Sequence, residues 1–404
     1  MLKRLQSLRG EYPGQFWLIF WGNLISTIGT SMIWPFMAIY ASQKLDLPLT
    51  AVASLLTINS AMGLIASFAA GSLTDRVGRR VVMIVGMILH GITFTGFIFA
   101  DSLASFIVLM AVSGFVSPIY RVGVDAMVAD LIPNEKRVDA YSLLRMGNNV
   151  GVALGPTIGG FLATISYSII YGCASAGLIF YGILTLLFSK ETLPARVEQT
   201  GPSQTAGYGK VLRDRLFVFF TSALTLTTIG SSMVFVLLSV YAKEQFGIPE
   251  SQYGFLMAAN AGLVVLFQVW VTGIAKRFSI YRVLTLGALL YALGVGINAF
   301  GSNFWGFFIA IVVMTCGEML LIPTATTLVA NLAPADMRGR YMSVYNLTWG
   351  IATGIGPLIG GFLNDQIAPV AIWYGGALIG LMGAAMLGVL AIRKRTSAVR
   401  TESA

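Results

Sequence analysis

Charged residues are scarce in this chain, and that scarcity limits what the protein can be. Asp, Glu, Lys and Arg together make up 11% of its 404 residues, against about 25% in a typical soluble domain. Hydrophobic residues make up 56%, which argues against a soluble globular fold. The two cysteines, Cys173 and Cys316, both fall inside apolar stretches, so no disulfide framework is expected.

Several chemical signatures are also missing. The sequence has no Gly-rich loop that ends in Lys and Ser or Thr, so we do not expect ATP to be used. It has one histidine, His90, and no residues with the spacing of a metal site or a catalytic triad. The sequence has no short apolar core followed by a small-residue cleavage site, so we expect no signal peptide. We therefore expect a protein that is not an enzyme and that needs no cofactor and no metal.

The chain does contain one long internal repeat. Residues 27–32 (TIGTSM) return 201 residues later as 228–233 (TIGSSM), and residues 155–162 return at the same offset as 356–363. A repeat of this length is a duplicated domain and not a solenoid unit of about 20–50 residues. A spanning helix needs about 20 mostly apolar residues, and each copy contains six such stretches. They lie near 15–41, 50–72, 81–100, 103–130, 138–165 and 167–189, and near 215–242, 250–273, 282–300, 303–331, 338–364 and 368–392.

The predicted fold is an all-α membrane protein with 12 transmembrane helices in two six-helix lobes related by parallel duplication. Residues 1–189 form the N-terminal lobe, residues 190–214 a cytoplasmic linker, and residues 215–404 the C-terminal lobe with a short cytoplasmic tail. Loops and tails on one side hold 22 of the 26 Lys and Arg. Because positive loops stay in the cytoplasm, we expect a multi-pass protein of the cell membrane with both termini inside. The net charge of +9 then indicates orientation and not nucleic-acid binding.

Two motifs resemble those of a known family. Residues 71–80 (GSLTDRVGRR), between predicted helices 2 and 3, resemble the signature loop of the major facilitator superfamily. Small residues in predicted helix 5 resemble the antiporter motif of that superfamily, namely Gly147, Gly151, Gly155, Pro156, Gly159 and Gly160. The likeness implies that superfamily's fold, with a substrate site between the lobes near the membrane midplane. Within that superfamily, the chain resembles the branch of 12-helix drug:proton antiporters.

The signature loop implies a conformational gate at the cytoplasmic face. The candidate residues are Gly71, Asp75, Arg76, Gly78, Arg79, Arg80 and Asp130. The resemblance places Asp75 against helix 11, and Arg79 or Arg80 against Asp130, when the cytoplasmic side is shut. The alternative is that the arginines only fix the topology. In the second copy Lys276 stands where the first has Asp75, so we expect no such gate there.

The glycines of predicted helix 5 recur every four residues and form one smooth face. We expect this face to approach helix 8 of the other lobe, with Pro156 kinking the outer half of helix 5. The alternative is ordinary packing of small residues. Residues 356–361 repeat part of the motif in helix 11, which weakens it as a marker of antiport alone.

Charged residues inside a membrane are costly and are candidates for function. Asp125 and Arg145 lie at matching depth on predicted helices 4 and 5, about 12–14 Å above the turn that joins them. Arg121 lies one turn from Asp125 on the same helical face. We therefore predict a buried cluster of Arg121, Asp125 and Arg145. It either binds an acidic group of the cargo or only holds the two helices together.

Glu318, in predicted helix 10, is the first candidate for proton coupling, and Asp125 is the second. No Lys or Arg lies in helix 10, and those of helices 7 and 11 stand at the start of each span (Arg215, Arg338 and Arg340), so burial would favour the protonated carboxyl group of Glu318. The alternative is a structural Glu that stays protonated and never titrates. For His90 we favour packing over proton transfer, because helix 3 is peripheral in the related fold.

Helices 1, 4, 7 and 10 are expected to line a central cavity, to which helices 2 and 8 add polar groups. Such a lining would be mostly apolar and aromatic, which is typical of a promiscuous hydrophobic pocket. The candidates are Asn23, Trp34, Asn59, Tyr120, Met233, Tyr241, Asn260 and Gln268. For any single aromatic residue, packing inside the protein is the competing explanation.

Together these features predict a secondary active transporter that exports amphipathic or hydrophobic small molecules by proton-coupled antiport and alternating access. Its partners would be that small molecule, protons and the bilayer, with no nucleic acid. A monomer would suffice because the two copies complete one path. One alternative is a proton-coupled transporter of one specific polar or anionic metabolite, with Arg121 and Arg145 binding the anion. The other is a non-transporting membrane sensor.

Overall fold

Long apolar stretches become helices in a membrane, because hydrocarbon offers no partner to a free backbone N–H or C=O. The computed structural model describes residues 11–193, 208–334 and 337–402, and these ranges contain twelve long helices and no strand. We label the long helices α1 to α12, and α1 contains a 3-10 turn at Trp34–Phe36. Their bounds are Gly14–Leu45, Leu49–Val77, Arg79–Phe99, Leu103–Leu131, Asn134–Ala163, Tyr167–Phe188, Arg215–Phe246, Glu250–Ala275, Ile280–Phe300, Phe304–Leu332, Arg338–Gln366 and Ala371–Glu402.

Ten of these helices are long and apolar enough to cross a membrane. The other two, α5 and α11, are long enough, but glycines and polar residues such as Asn148 and Asn149 make them less apolar. The all-α membrane fold predicted from the sequence is thus confirmed for the described residues. The count of twelve spans stays a prediction.

The chain divides into two compact units. The first comprises residues 1–46 and 58–198, and the second comprises residues 47–57 and 199–404. In the first unit α1 packs on α5 and α6, and α3 packs on α4 and α6. In the second unit α7 packs on α11 and α12, and α9 packs on α10 and α12. The two patterns match helix by helix, as a duplicated domain requires. Most of the predicted linker lies outside the described residues, because 194–207 are not described.

One core cluster of the first unit combines aromatic and sulfur-containing side chains with aliphatic ones. Phe16 and Tyr181 are fully buried there, together with the methionines Met83, Met87 and Met127. Methionine is unbranched and flexible, so it fills the irregular gaps that remain between large rings. This packing fixes α1, α3, α4 and α6 against one another and so positions the loop between α2 and α3.

The glycine face of α5 packs on α1 of the same unit. Atoms of α1 lie 2.4–3.2 Å from the position that a Cβ would take at four of these glycines. The pairs are Gly147 with Phe20, Gly151 with Thr27, Gly155 with Ser31 and Gly159 with Met32. The prediction that this face approaches helix 8 is wrong, because α1 already fills it. Pro156 and Gly160 are buried in the same stretch, and α5 continues through Pro156 as one helix.

This packing predicts that Gly155→Val destabilises the protein by about 1–3 kcal/mol, the usual cost of overpacking a core. The physical reason is that the new side chain would enter the space held by Ser31 and the backbone of α1. Gly172→Val is the matched control, since nothing lies within 4 Å of a Cβ at Gly172. The midpoint of thermal unfolding in detergent should fall for Gly155→Val alone. Equal midpoints for the two variants would contradict the assignment.

Candidate functional site

The loop between α2 and α3 is held by Arg79. Its Nε donates to Oδ2 of Asp130 at 3.0 Å, and its Nη1 donates to the carbonyl oxygen of Thr74 at 3.2 Å. The side chain of Arg79 is only 9% exposed, so its charge needs the carboxylate of Asp130 for compensation. Arg80 turns elsewhere and donates to the carbonyl oxygen of Leu186. Of the two arginines proposed for Asp130, the partner is therefore Arg79.

Glu191, which follows α6, completes this network, and the sequence patterns did not predict it. Its carboxylate accepts the backbone N–H of Arg79 at 3.0 Å and of Arg80 at 3.1 Å, the first two residues of α3. It also accepts the N–H groups of Thr192 and Leu193, both at 2.9 Å. Burial raises the pKa of Glu191, but these four donors outweigh burial and hold the pKa below its usual value. The available signal was an acidic residue directly after helix 6, on the side predicted to hold the loop.

Gly78 is required for this arrangement. Its φ is +106°, where a side chain is strained, and a Cβ there would lie 2.5 Å from Oε2 of Glu191. Arg76 is exposed at the end of α2. Gly71 and Asp75 belong to α2, but their side-chain surroundings lie outside the described residues, so the predicted contact of Asp75 with helix 11 stays a prediction.

The predicted cluster on α4 and α5 is not joined by ion pairs in this structure. All three side chains are exposed, and no ion pair among the described residues links Asp125 to Arg121 or Arg145. The charge of Arg121 still acts on the carboxyl group of Asp125. The direct contact between the helices is made by Tyr141, whose hydroxyl donates to the backbone oxygen of Asp125 at 2.7 Å. Matching depth fixes the height of a residue along its helix and not the direction of its side chain, which is why the paired cluster does not form.

Glu318 lies on α10 beside two polar side chains of the second unit. Nδ2 of Asn260, on α8, donates to Oε2 of Glu318 at 2.9 Å and to Oγ1 of Thr315 at 2.8 Å. The hydroxyl of Thr315 in turn donates to the carbonyl oxygen of Ile311 at 2.7 Å. No Lys or Arg of the described ranges forms an ion pair with Glu318. Its charge, when present, is therefore supported by an amide and not by a cation.

Two further polar residues lie around this cluster. Tyr291 of α9 is 1% exposed, lies near Glu318, and forms a hydrogen bond with Ser231 of α7. Helices α7, α8, α9 and α10 thus all contribute to the surroundings of one carboxyl group. Thr315 and Tyr291 were not predicted from the sequence. The position of Thr315, three residues before Glu318 on the same helical face, was the available signal.

Three residues predicted to line the cavity are instead core residues. Met233 is 0% exposed, and Tyr241 and Tyr120 are each 6% exposed. The ring of Tyr241 packs edge-on against Trp373, with 5.1 Å between the ring centroids. The hydroxyl of Tyr120 lies 3.2 Å from Oγ of Ser26. These three assignments are wrong, because the order of the helices indicates which helix faces a cavity and not which of its residues does.

The polar candidates of helices 2 and 8 bond to neighbours in their own unit. Asn59 donates to a carbonyl oxygen of α4 at 3.0 Å, and Gln268 donates to a carbonyl oxygen of α10 at 3.0 Å. Both side chains therefore tie two helices together. Asn23 and Trp34 are half-buried on α1, and their role in a cavity stays a prediction.

His90 has the surroundings of a packed side chain. It is 3% exposed, its Nε2 lies 3.1 Å from Oγ of Ser113, and its ring packs on Phe94 with 4.5 Å between centroids. Within the part of the chain that the structure describes, no group of three or more His, Cys, Asp or Glu is placed to hold a metal ion.

The network around Glu191 generates a prediction about stability and pH. Glu191→Gln should lower stability by about 0.5–2 kcal/mol, the range for a lost helix cap. Because the pKa of Glu191 is lowered, its contribution is complete above the ordinary pKa of Glu and is lost as the pH falls through the lowered value. Unfolding midpoints in detergent should therefore differ between wild type and variant at neutral pH and converge in acid. The exposed Glu11 supplies the control Glu11→Gln, and a midpoint for Glu191→Gln equal to that of the control at neutral pH would contradict the prediction.

Comparison with known proteins agrees with this architecture. The model of the Major Facilitator Superfamily matches residues 19–230 and 220–404. The chain is 27% identical over 404 residues to the Na(+), Li(+), K(+)/H(+) antiporter of Planococcus maritimus, covering 92% of this chain and 90% of that protein. It is 26% identical over 378 residues to the multidrug resistance protein MdtH of Yersinia pestis (strain Pestoides F), covering 92% of each chain.

Solved structures show the same fold. The nucleoside transporter NupG superposes with a TM-score of 0.80 at 11% identity, covering 93% of this chain and 99% of that one. At such low identity the likeness shows the fold alone. The family model, by contrast, matches from residue 19 to the end of the chain. The chain therefore belongs to the major facilitator superfamily and is a multi-pass membrane transporter.

Proposed function

We propose that the protein is a proton-coupled antiporter that exports amphipathic or hydrophobic small molecules by alternating access. The proposal rests mainly on Glu318, a carboxyl group on the apolar helix α10 whose hydrogen-bond partner is the amide of Asn260. The names of two relatives support separate parts of it. One is an antiporter of monovalent cations and H⁺, and the other is a multidrug resistance protein.

The contact with Asn260 suggests how a proton is carried. The amide donates to Oε2 of Glu318, which leaves Oε1 as the oxygen to which a proton is added. An ionised carboxylate without a cation partner is costly in a medium of low dielectric constant. The carboxyl group therefore releases its proton only when cargo or water lowers that cost. Proton and cargo then replace each other at one site, which is antiport.

The remaining parts of the proposal concern the gate and the assembly. Arg79, Asp130 and Glu191 join the loop before α3 to α4 and to the segment after α6, and we infer that these elements move together when the cytoplasmic side opens. When that side closes again, Asp75 would lie against helix 11. The transporter is proposed to act as a monomer with both termini in the cytoplasm, driven by the proton gradient without a cofactor.

A second cargo class has one observation in its favour. Arg121 and Arg145 are exposed and form no ion pair among the described residues. Two unpaired guanidinium groups are suited to an anionic metabolite, since Arg binds carboxylate and phosphate with two parallel hydrogen bonds. A transporter of one anionic metabolite is therefore the alternative to drug export.

The function predicts a specific defect for Glu318→Gln. In proteoliposomes with an imposed pH gradient, the wild type should drive the lipophilic cation ethidium uphill. The variant should fall to the level of protein-free liposomes, because Gln mimics the protonated acid and cannot release a proton. Downhill exchange of ethidium should remain. Asp46→Asn is the control, since Asp46 is exposed and has a φ of +51°, a conformation that Asn tolerates.

The same assay separates the alternatives. Undiminished uphill transport by Glu318→Gln would exclude Glu318 and move the proton to Asp125. Uphill transport of Na⁺ but not of ethidium would contradict drug export and leave proton-coupled antiport standing. Transport of organic anions that is lost in Arg145→Gln would establish the alternative cargo class.

A further inference from the structure

The second unit has an apolar crevice where α8 ends and α9 begins. Its volume is about 290 Å³, and all but one of its lining side chains are apolar. Phe278 and Leu286, which help to line it, are 59% and 52% exposed. Leu320 of α10 also lines it, and Arg282 is its polar residue. Such an exposed apolar surface at a helix end is suited to a hydrocarbon chain.

Three cations surround this crevice. Arg282 lines it, while Lys276 and Arg277 lie between the lining residues Ala275 and Phe278. All three side chains are exposed, and none forms an ion pair among the described residues. An apolar crevice with unpaired positive charges at its edge is complementary to an amphipathic anion.

The duplication shows that these cations differ from those of the first copy. In the first unit the corresponding turn is held by carboxylates, with Arg79 on Asp130 and Glu191 on the start of α3. At the offset of 201 residues the acidic positions have lost their negative charge. The number of cations stays at three, because Ile280 and Tyr281 replace Arg79 and Arg80 while Lys276 and Arg282 are gained. The matched residues are Asp75 with Lys276, Val81 with Arg282, Asp130 with Asn331 and Glu191 with Ile392. Within the described ranges, the positive charge of the second turn is therefore not neutralised by an ion pair.

We propose that this crevice binds an anionic phospholipid of the cytoplasmic leaflet. Its acyl chain would lie along Phe278, Leu286 and Leu320, and its phosphate would lie against Arg282, with Lys276 and Arg277 nearby. The cytoplasmic leaflet follows from the predicted orientation of the positive loops. Anionic lipids are concentrated in that leaflet, and each Lys or Arg near them adds about fivefold in affinity.

The test is native mass spectrometry of the purified full-length protein titrated with phosphatidylglycerol and with phosphatidylcholine of the same acyl chains. The wild type should bind phosphatidylglycerol more tightly, and Arg282→Gln should weaken that binding about fivefold. Ala275→Phe, which fills the crevice and keeps the cations, should weaken both lipids. Arg213→Gln removes an exposed arginine outside the crevice and should leave both affinities unchanged.

Three results would overturn the proposal. The first is equal affinity of the wild type for the two lipids. The second is an affinity of Arg282→Gln for phosphatidylglycerol that equals the affinity of Arg213→Gln. The third is displacement of phosphatidylglycerol by ethidium, which would make the crevice a cargo site. Unfolding midpoints identify any variant that does not fold. If Arg282→Gln does not fold, two other variants decide the question. Arg282→Lys keeps the charge and should keep the preference for phosphatidylglycerol, and Ala275→Phe should still weaken the binding of both lipids.

Discussion

Hydrocarbon neither forms hydrogen bonds nor stabilises a charge, and the other features of this protein depend on that constraint. It accounts for the long helices and for the 11% of charged residues. It also requires each buried charge to have a partner, as Arg79 has in Asp130. Glu318 differs because its described partner is an amide. An ionised carboxyl group in that position is stable only while another species supplies a positive charge to balance it, and a proton is the smallest such species.

The two copies share the same arrangement of helices but differ in their polar side chains. Asn59 and Asn260 occupy matching positions, 201 residues apart. In the first copy Asn59 donates to a backbone oxygen of α4, at a close approach of two helices. In the second copy Thr315 and Glu318 stand where the first has Gly114 and Ser117, and Asn260 donates to both of them. Substitution at two helix positions thus converts a structural contact into a candidate proton site, while the first copy has the network of Arg79, Asp130 and Glu191.

Much of the fold could be predicted from the sequence, because helix length, repeat offset and loop charge can all be counted along the chain. The site was only partly accessible. Glu318 could be identified because a carboxyl group beside so many apolar residues needs an explanation, and Asp130 could be identified through the resemblance of the signature loop. The contacts of Glu191 could not, because they depend on how the segment after α6 folds against the start of α3. The direction of the glycine face of α5 and the burial of Met233 could not either, because each depends on the rotation of a helix about its axis. Residue spacing gives that rotation only when one face is clearly polar, and a membrane helix that is apolar all round lacks that signal.

The central claim is that Glu318 holds a proton that cargo displaces. Infrared difference spectroscopy of the reconstituted protein, recorded before and after addition of ethidium, measures the carbonyl band of protonated carboxylic acids. The account predicts that ethidium reduces this band in the wild type and in Asp125→Asn, and leaves it unchanged in Glu318→Gln. A band that ethidium does not alter in the wild type, or that it alters equally in Glu318→Gln, would contradict the account.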